Sequence, residues 1–210
     1  MMGVLGGTFD PVHYGHLKTA HAAYRQVGLG SVRILPCYQP VHRESPIASA
    51  DQRVAMLQLA LQEFPEFELD VRELSRGGPS YSYDTLKSLH EDFPDAHLCF
   101  LIGADAFLQF TEWYRWQEIL ELAHLLVMVR PGYQILPGTR ARELFQSYGA
   151  SAQTELSKSA AGKILPVAVP KVDISSTVIR ERLRSGESIS GLVPAALEEW
   201  LQTQSIYRNQ

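Results

Sequence analysis

A chain of 210 residues, 45% apolar and 20% charged, is long enough to bury a core without disulfides or a structural metal, and this composition excludes extensive disorder. The net charge of -4 argues against a broad electrostatic footprint for DNA or RNA, so the cations that meet any anionic ligand must be gathered at one place. Cys37 and Cys99, the two cysteines, suit a reduced compartment. The start, MMGVLGG, has neither a basic n-region nor an apolar run long enough for a signal peptide or membrane span, which makes a cytoplasmic protein the expectation.

In chain order, short apolar runs predict strands at 2–6, 32–36, 67–71, 97–102, 125–129 and 164–169. Between them the patterns predict helices at 15–27, 51–64, 83–92, 116–122 and 139–148, with Gly28 ending the first and Ser49 or Asp51 capping the second. This alternation is that of an α/β fold, a doubly wound parallel sheet covered by helices on both faces. After the sixth strand the pattern changes to helices at 176–185 and 194–204, a small helical C-terminal extension; the polar residues 151–162 read as a loop. One domain over 1–210 is expected, with an α/β core over 1–172 and a helical part over 173–210.

Ligands in such folds bind beyond the carboxyl ends of the strands, where helix N-termini converge, and four segments there carry unusual residues. The first is GGTFDPVHYGH. Gly6 and Gly7 permit close backbone approach, Asp10-Pro11 makes a turn, and Gly15 removes a side chain between His13 and His16. Turn chemistry has no need of two imidazoles; beside a glycine-rich loop and a helix N-terminus they are placed to hydrogen-bond a phosphate. Neither the dinucleotide nor the P-loop glycine pattern is present. A metal shared with His21, His42 or Cys37 is the alternative, but no carboxylate stands at ligand spacing and the H-E-x-x-H pattern is missing.

The second segment, CYQPVHRES, puts His42 and Arg43 on an irregular loop, either as solvated charges or as a cover for a ligand. In the third, LIGADAF to TEWY, Gly103 ends a strand and Asp105 is suited to ribose hydroxyls. Trp113 and Tyr114 follow in an interhelical segment, as stacking surfaces or as core. Nearby, GGPSYSYDTL sets Thr85 at a helix start, where amides meet anions. The fourth, DISSTVIRERL, opens a helix with Ser175, Ser176 and Thr177, and Arg180 follows within a turn. Read blandly these are N-caps and an exposed charged face; together they make an anion-binding end with a bidentate donor.

The combination resembles the nucleotidyltransferase superfamily, whose (H/T)-x-G-H signature is matched by GGTFDPVHYGH and whose second signature is matched by ISSTVIR. Within it the chain is similar over essentially its whole length to bacterial nicotinate-mononucleotide adenylyltransferases, through QPVHR, PSYSYDTL, IGADAF, EWY and the RPG at Arg130 to Gly132. The resemblance implies a Rossmann-like nucleotidyltransferase fold and transfer of AMP from ATP, with Mg2+ assisting, to nicotinate mononucleotide. The phosphate of the mononucleotide attacks in line and needs no general base.

By position, the resemblance implies that His13, His16 and Arg180 carry the chemistry. Gly6, Gly7, Thr8, Phe9, Arg43, Gly103, Asp105, Arg130, Ser176 and Thr177 join them at ATP, and His42, Thr85, Trp113 and Tyr114 are assigned to the mononucleotide. The lid segment reads Pro40-Val41-His42 where many relatives have Pro-Pro-His. No metal held by protein side chains, nucleic acid or membrane is expected as a partner, and homo-oligomers stay open. The rivals are a superfamily enzyme acting on nicotinamide mononucleotide or phosphopantetheine, and a noncatalytic dinucleotide sensor. A sensor has little use for His16 or Arg180.

Overall fold

The computed structural model of the protein describes residues 1–41, 44–132 and 138–208. Strands β1 (Met2–Gly7), β2 (Ser31–Pro36), β3 (Phe67–Leu69), β4 (Leu98–Gly103), β5 (Ala123–Val129) and β6 (Ile164–Ala168) form one parallel sheet in the order β3-β2-β1-β4-β5-β6. This is the doubly wound order, and the direction of winding reverses between β1 and β4. The helices are α1 (Tyr14–Val27), α2 (Ala50–Ala60), α3 (Arg72–Arg76), α4 (Ser82–Asp92), α5 (Ala104–Leu108), α6 (Trp116–Leu122), α7 (Arg140–Tyr148), α8 (Ser176–Ser185) and α9 (Ala195–Thr203). Every predicted strand and helix is present with ends shifted by a few residues. The short α3 and α5 escape the sequence reading because five residues are too few to show a helical period.

The chain divides into two compact units. The first comprises Met1–Leu5, Ala22–Arg33 and Tyr81–Lys171. In it β4 is buried from Leu98 through Ile102, which explains why LCFLI is continuously apolar: a parallel strand covered on both faces has no solvent side to alternate toward. Its neighbour β5 holds a fully buried histidine, His124. The Lys163 N–H donates to His124 Nδ1 at 3.1 Å, so Nε2 carries the proton and donates to the Ser159 carbonyl at 3.0 Å. Burial pulls the imidazole below its usual range, and it stays neutral.

That pair of bonds ties down the segment expected to be a plain loop, 151–162. The structure corrects the expectation: Gln153–Lys158 forms a 3-10 helix with Leu156 fully buried. The Glu155 carboxylate accepts from the Ser151 and Ala152 amides at its start. A polar sequence hid one apolar anchor and one cap.

The second unit comprises Gly6–His21, Ile34–Ser80 and Val172–Gln210. Helix α2 begins with a capping box, in which Ser49 Oγ accepts from the Gln52 amide at 3.2 Å and the Ser49 amide donates to Gln52 Oε1 at 2.8 Å. Ser49, not Asp51, is therefore the cap. The buried face of α2 is Arg53, Met56, Leu57 and Ala60, spaced i, i+3, i+4, i+7 as a packed helix requires, and α9 packs against α2. The chain passes from the first unit to the second three times, after Leu5, Arg33 and Lys171.

Candidate active site

The loop after β1 is shaped by Phe9, whose backbone lies in the left-handed region at φ 51, an unusual conformation for a bulky residue. The turn folds the ring back over Gly7, where an added Cβ would lie 2.9 Å from the ring tip. Any side chain at Gly7 would displace a ring that is only 2% exposed. Gly6, by contrast, faces open space, and there a ligand is able to approach the backbone.

Next in the chain the Asp10–Pro11 peptide bond is cis, and the Asp10 carboxylate is buried. Its Oδ2 accepts from the Ile47 amide at 2.8 Å, and its Oδ1 from the Ala48 amide at 3.1 Å and the Tyr207 hydroxyl at 2.7 Å. The sequence reading took Asp10 for a turn residue; the structure makes it a hub.

His13 immediately precedes α1, and His16 lies in the helix's first turn. Their rings stack with centroids 3.8 Å apart, and Phe9 meets His16 edge-on at 5.2 Å. A Cβ on Gly15 would come within 2.7 Å of His13 Nδ1 and 3.1 Å of the Ile174 carbonyl. The glycine in H-Y-G-H thus makes room for the imidazole itself. Burial pushes His13 down to about 4, so near neutral pH it is an uncharged ring with one donor and one acceptor nitrogen. Its Nδ1 is buried with no hydrogen-bond partner, a state that calls for a reason in a native structure.

The second signature reaches the same loop. Ser176 Oγ donates to the Pro11 carbonyl at 3.0 Å, and Arg180 Nη1 donates to the Asp10 carbonyl at 2.8 Å. Both bonds span more than 160 residues of sequence, and they bring the first turn of α8 beside the phosphate loop expected from H-Y-G-H. The anion-binding end differs in detail from the expectation. Ser175 Oγ caps the Val178 amide at 3.3 Å, Ser176 is bonded to Pro11, and Thr177 Oγ1 accepts from Arg180 Nη2 at 3.3 Å. The hydroxyls of Ser175 and Ser176 are occupied within the protein. Ser176 and Thr177 open α8, where N–H groups meet no intrahelical carbonyl. Arg180 is first a brace of the loop, with further N–H donors beyond those two bonds.

Sequence reasoning missed Arg53 and Tyr207 here. Arg53 is 1% exposed, and its Nη1 donates to the Thr8 carbonyl at 2.9 Å. A charged residue on the apolar stripe of α2 is the signal that would have found it. Tyr207 has no such local signal.

In the first unit, Gly103 is the exposed last residue of β4 with open space about it, and Asp105 is exposed in the first turn of α5. Arg130 is exposed just past β5. Thr85 is the fourth residue of α4, one place deeper than the predicted start at 83 put it, 3% exposed, with its amide donating to the Tyr81 carbonyl at 3.3 Å. Its amide is thus used within the helix. Trp113 is half-buried, with Phe110 and Phe100 rings 5.7 and 6.1 Å away, so it serves the core as well as the surface. Tyr114 is half-exposed, lying 4.6 Å from the Tyr81 ring. Beside it, Arg115 covers the Tyr83 ring at 3.8 Å and pairs with Glu118. His42 and Arg43 lie outside the described residues.

Among the described residues, no three or more His, Cys, Asp or Glu side chains are grouped to hold a metal ion, and no helix is long and apolar enough to cross a membrane. An open cleft of about 440 Å³ beside α7, lined by Arg142, Phe145 and Pro166 among others, contains none of the motif residues.

Residues 4–182 match the cytidylyltransferase-like family model. The chain is 42% identical over 207 residues to the "Probable nicotinate-nucleotide adenylyltransferase" of Aeromonas salmonicida, covering 99% of this chain and 97% of the relative. It is 41% identical over 208 residues to the protein of that name from Methylococcus capsulatus, covering 99% of each. Among solved structures it is similar to Plasmodium falciparum nicotinic acid mononucleotide adenylyltransferase complexed with APC. The TM-score is 0.71 at 17% identity, covering 98% of this chain and 96% of the other.

Proposed function

Because the chain belongs to the cytidylyltransferase-like family, and within it to the nicotinate-nucleotide adenylyltransferases, we propose that it transfers AMP from ATP to nicotinate mononucleotide, yielding deamido-NAD and pyrophosphate. The observation that carries this reading is the convergence, inside one compact unit, of the H-Y-G-H imidazoles and the α8 N-terminus on a single loop through Ser176 and Arg180.

The chemistry asks for positioning and charge stabilisation. A phosphate monoester is already largely ionised near neutral pH, so the nucleophile needs no general base, and in-line attack on the α-phosphorus displaces pyrophosphate directly. His13 and His16 donate to phosphate oxygens, and His16 meets the charge that develops at the α-phosphoryl group. The buried, unpartnered Nδ1 of His13 fits a ring waiting for a ligand. The Ser176 and Thr177 amides add an uncharged anion-binding end, while Arg180 and Arg53 hold the loop carbonyls of Asp10 and Thr8.

Assigned by motif position, Gly103 and Asp105 serve the adenosine ribose, Arg130 and Arg43 the polyphosphate, and Thr85, Trp113, Tyr114 and His42 the mononucleotide. The donor set of the phosphate loop is imidazole, amide and guanidinium, and the Asp10 carboxylate is occupied. It therefore fits a nucleotide that would bring its own Mg2+, with no protein carboxylate needed to hold the ion, which would supply screening of the phosphate charge.

Purified protein incubated with ATP, Mg2+ and either nicotinate or nicotinamide mononucleotide tests the reading by pyrophosphate release. Turnover with the acid well above that with the amide is expected. Equal rates refute acid preference, and no release with either refutes adenylyl transfer.

A further inference from the structure

Tyr207 follows α9 and is 3% exposed, placed by a turn in which the Arg208 amide donates to the Ser205 carbonyl at 3.2 Å. Its hydroxyl meets Asp10 Oδ1 at 2.7 Å and lies 3.8 Å from Met56 Sδ. Asp10 sits in the middle of the phosphate loop, flanked by Phe9 with its left-handed backbone and by the Pro11 carbonyl that anchors Ser176. A carboxylate this buried is stable only when its lone pairs are filled, and here three donors fill them: the Ile47 and Ala48 amides and Tyr207. Burial and the Asp10 charge hold the Tyr207 phenol above its ordinary range, while Arg180 and Arg53 oppose that shift. The phenol therefore remains a donor through neutral and mildly alkaline pH.

From this geometry we infer that Tyr207 is a positioning residue for adenylyl transfer, its hydroxyl acting through Asp10 to hold the loop from Thr8 to His13 in its phosphate-binding form. The inference rests on the reading of the site given above. Tyr207 is buried and acts on the loop that presents His13, and it ties the C-terminal segment to the segment leading into α2 through one shared carboxylate.

Tyr207→Phe keeps the ring and removes only the hydroxyl. Its kcat/KM for ATP is expected to fall roughly tenfold, the worth of one hydrogen bond to a charged acceptor, with the KM for mononucleotide within about twofold of native. In the Asp10→Asn background the same substitution should cost far less, because the two act as one unit. Amide hydrogen exchange at Ile47 and Ala48 should quicken in Tyr207→Phe, a readout that needs neither turnover nor a folded Asp10→Asn variant. Native kcat/KM for ATP in Tyr207→Phe, an equal cost in both backgrounds, or unchanged exchange at Ile47 and Ala48 overturns the inference. The native protein assayed alongside separates the two claims: if it shows no turnover the adenylyl-transfer reading fails, and the exchange measurement still judges the latch.

Discussion

Gly15→Ala tests the phosphate site through its tightest contact. The added methyl would stand 2.7 Å from His13 Cε1 and Nδ1, while ordinary contact begins near 3.4 Å. The imidazole must therefore retreat by about 0.7 Å, or the Ile174 carbonyl, at 3.1 Å, must yield with it. His13 is not the loose end of a flexible chain; it is 5% exposed and stacked on His16. Overpacking of this kind costs about 1–3 kcal/mol, offset by about 1 kcal/mol because alanine is the better helix former in the first turn of α1. Net stability should then fall by about 0–2 kcal/mol, a loss of up to about 8 °C in Tm. Catalysis should suffer much more, because a misplacement approaching 1 Å is worth about 100-fold. A loss of roughly 30- to 100-fold in kcat/KM for ATP, with a cooperative melting curve whose Tm is no more than about 8 °C below native, is expected from pyrophosphate release and thermal unfolding measured side by side. Activity within threefold of native would refute the claim that the position of His13 matters to the reaction.

His16→Ala should lower kcat by about two orders of magnitude or more while leaving the fold intact, since it removes the donor proposed to meet developing charge; near-native turnover removes His16 from the mechanism. For Trp113→Ala, the KM for mononucleotide should rise more than that for ATP, and Tm should also drop because the ring packs with Phe100 and Phe110; unchanged KM values with a lowered Tm make it a packing residue alone. His13 supplies a pH dependence whose sign follows from its lowered value of about 4 against the ordinary 6.5 of an imidazole. The unfolded chain binds the proton first, so stability is full above about pH 6.5 and declines as pH falls toward 4, by up to about 3 kcal/mol. Denaturant unfolding from pH 7 to 4 should show this decline reduced in His13→Gln, and identical slopes for the two proteins would count against a buried neutral imidazole.

Much of the molecule was legible locally. The order of strands and helices follows from periods of hydrophobicity that a single element imposes on its own sequence, and LCFLI declares a strand buried on both faces. The glycines, histidines and hydroxyl-rich helix start point together to the phosphate-binding role proposed for them. Less legible were elements below one helical period, such as α3, and the segment 151–162, whose order depends on Leu156 and on the bonds of Ser159 and Lys163 to His124. Thr85 sits one residue deeper in its helix than predicted because α4 starts at Ser82, with no side-chain cap to mark it.

The amino-acid sequence by itself determined which groups are available near the phosphate loop: two imidazoles, a helix start and an arginine. Tertiary structure decided which of them are occupied. Ser176 and Arg180 reach Pro11 and Asp10 across 165 and 170 residues, and Tyr207 reaches Asp10 across 197. Hydrogen-bond partners that distant leave no period or motif in the chain. They meet only because burial of the apolar faces brings α8 and the segment after α9 against the loop, and a buried carboxylate there accepts whatever donors packing delivers.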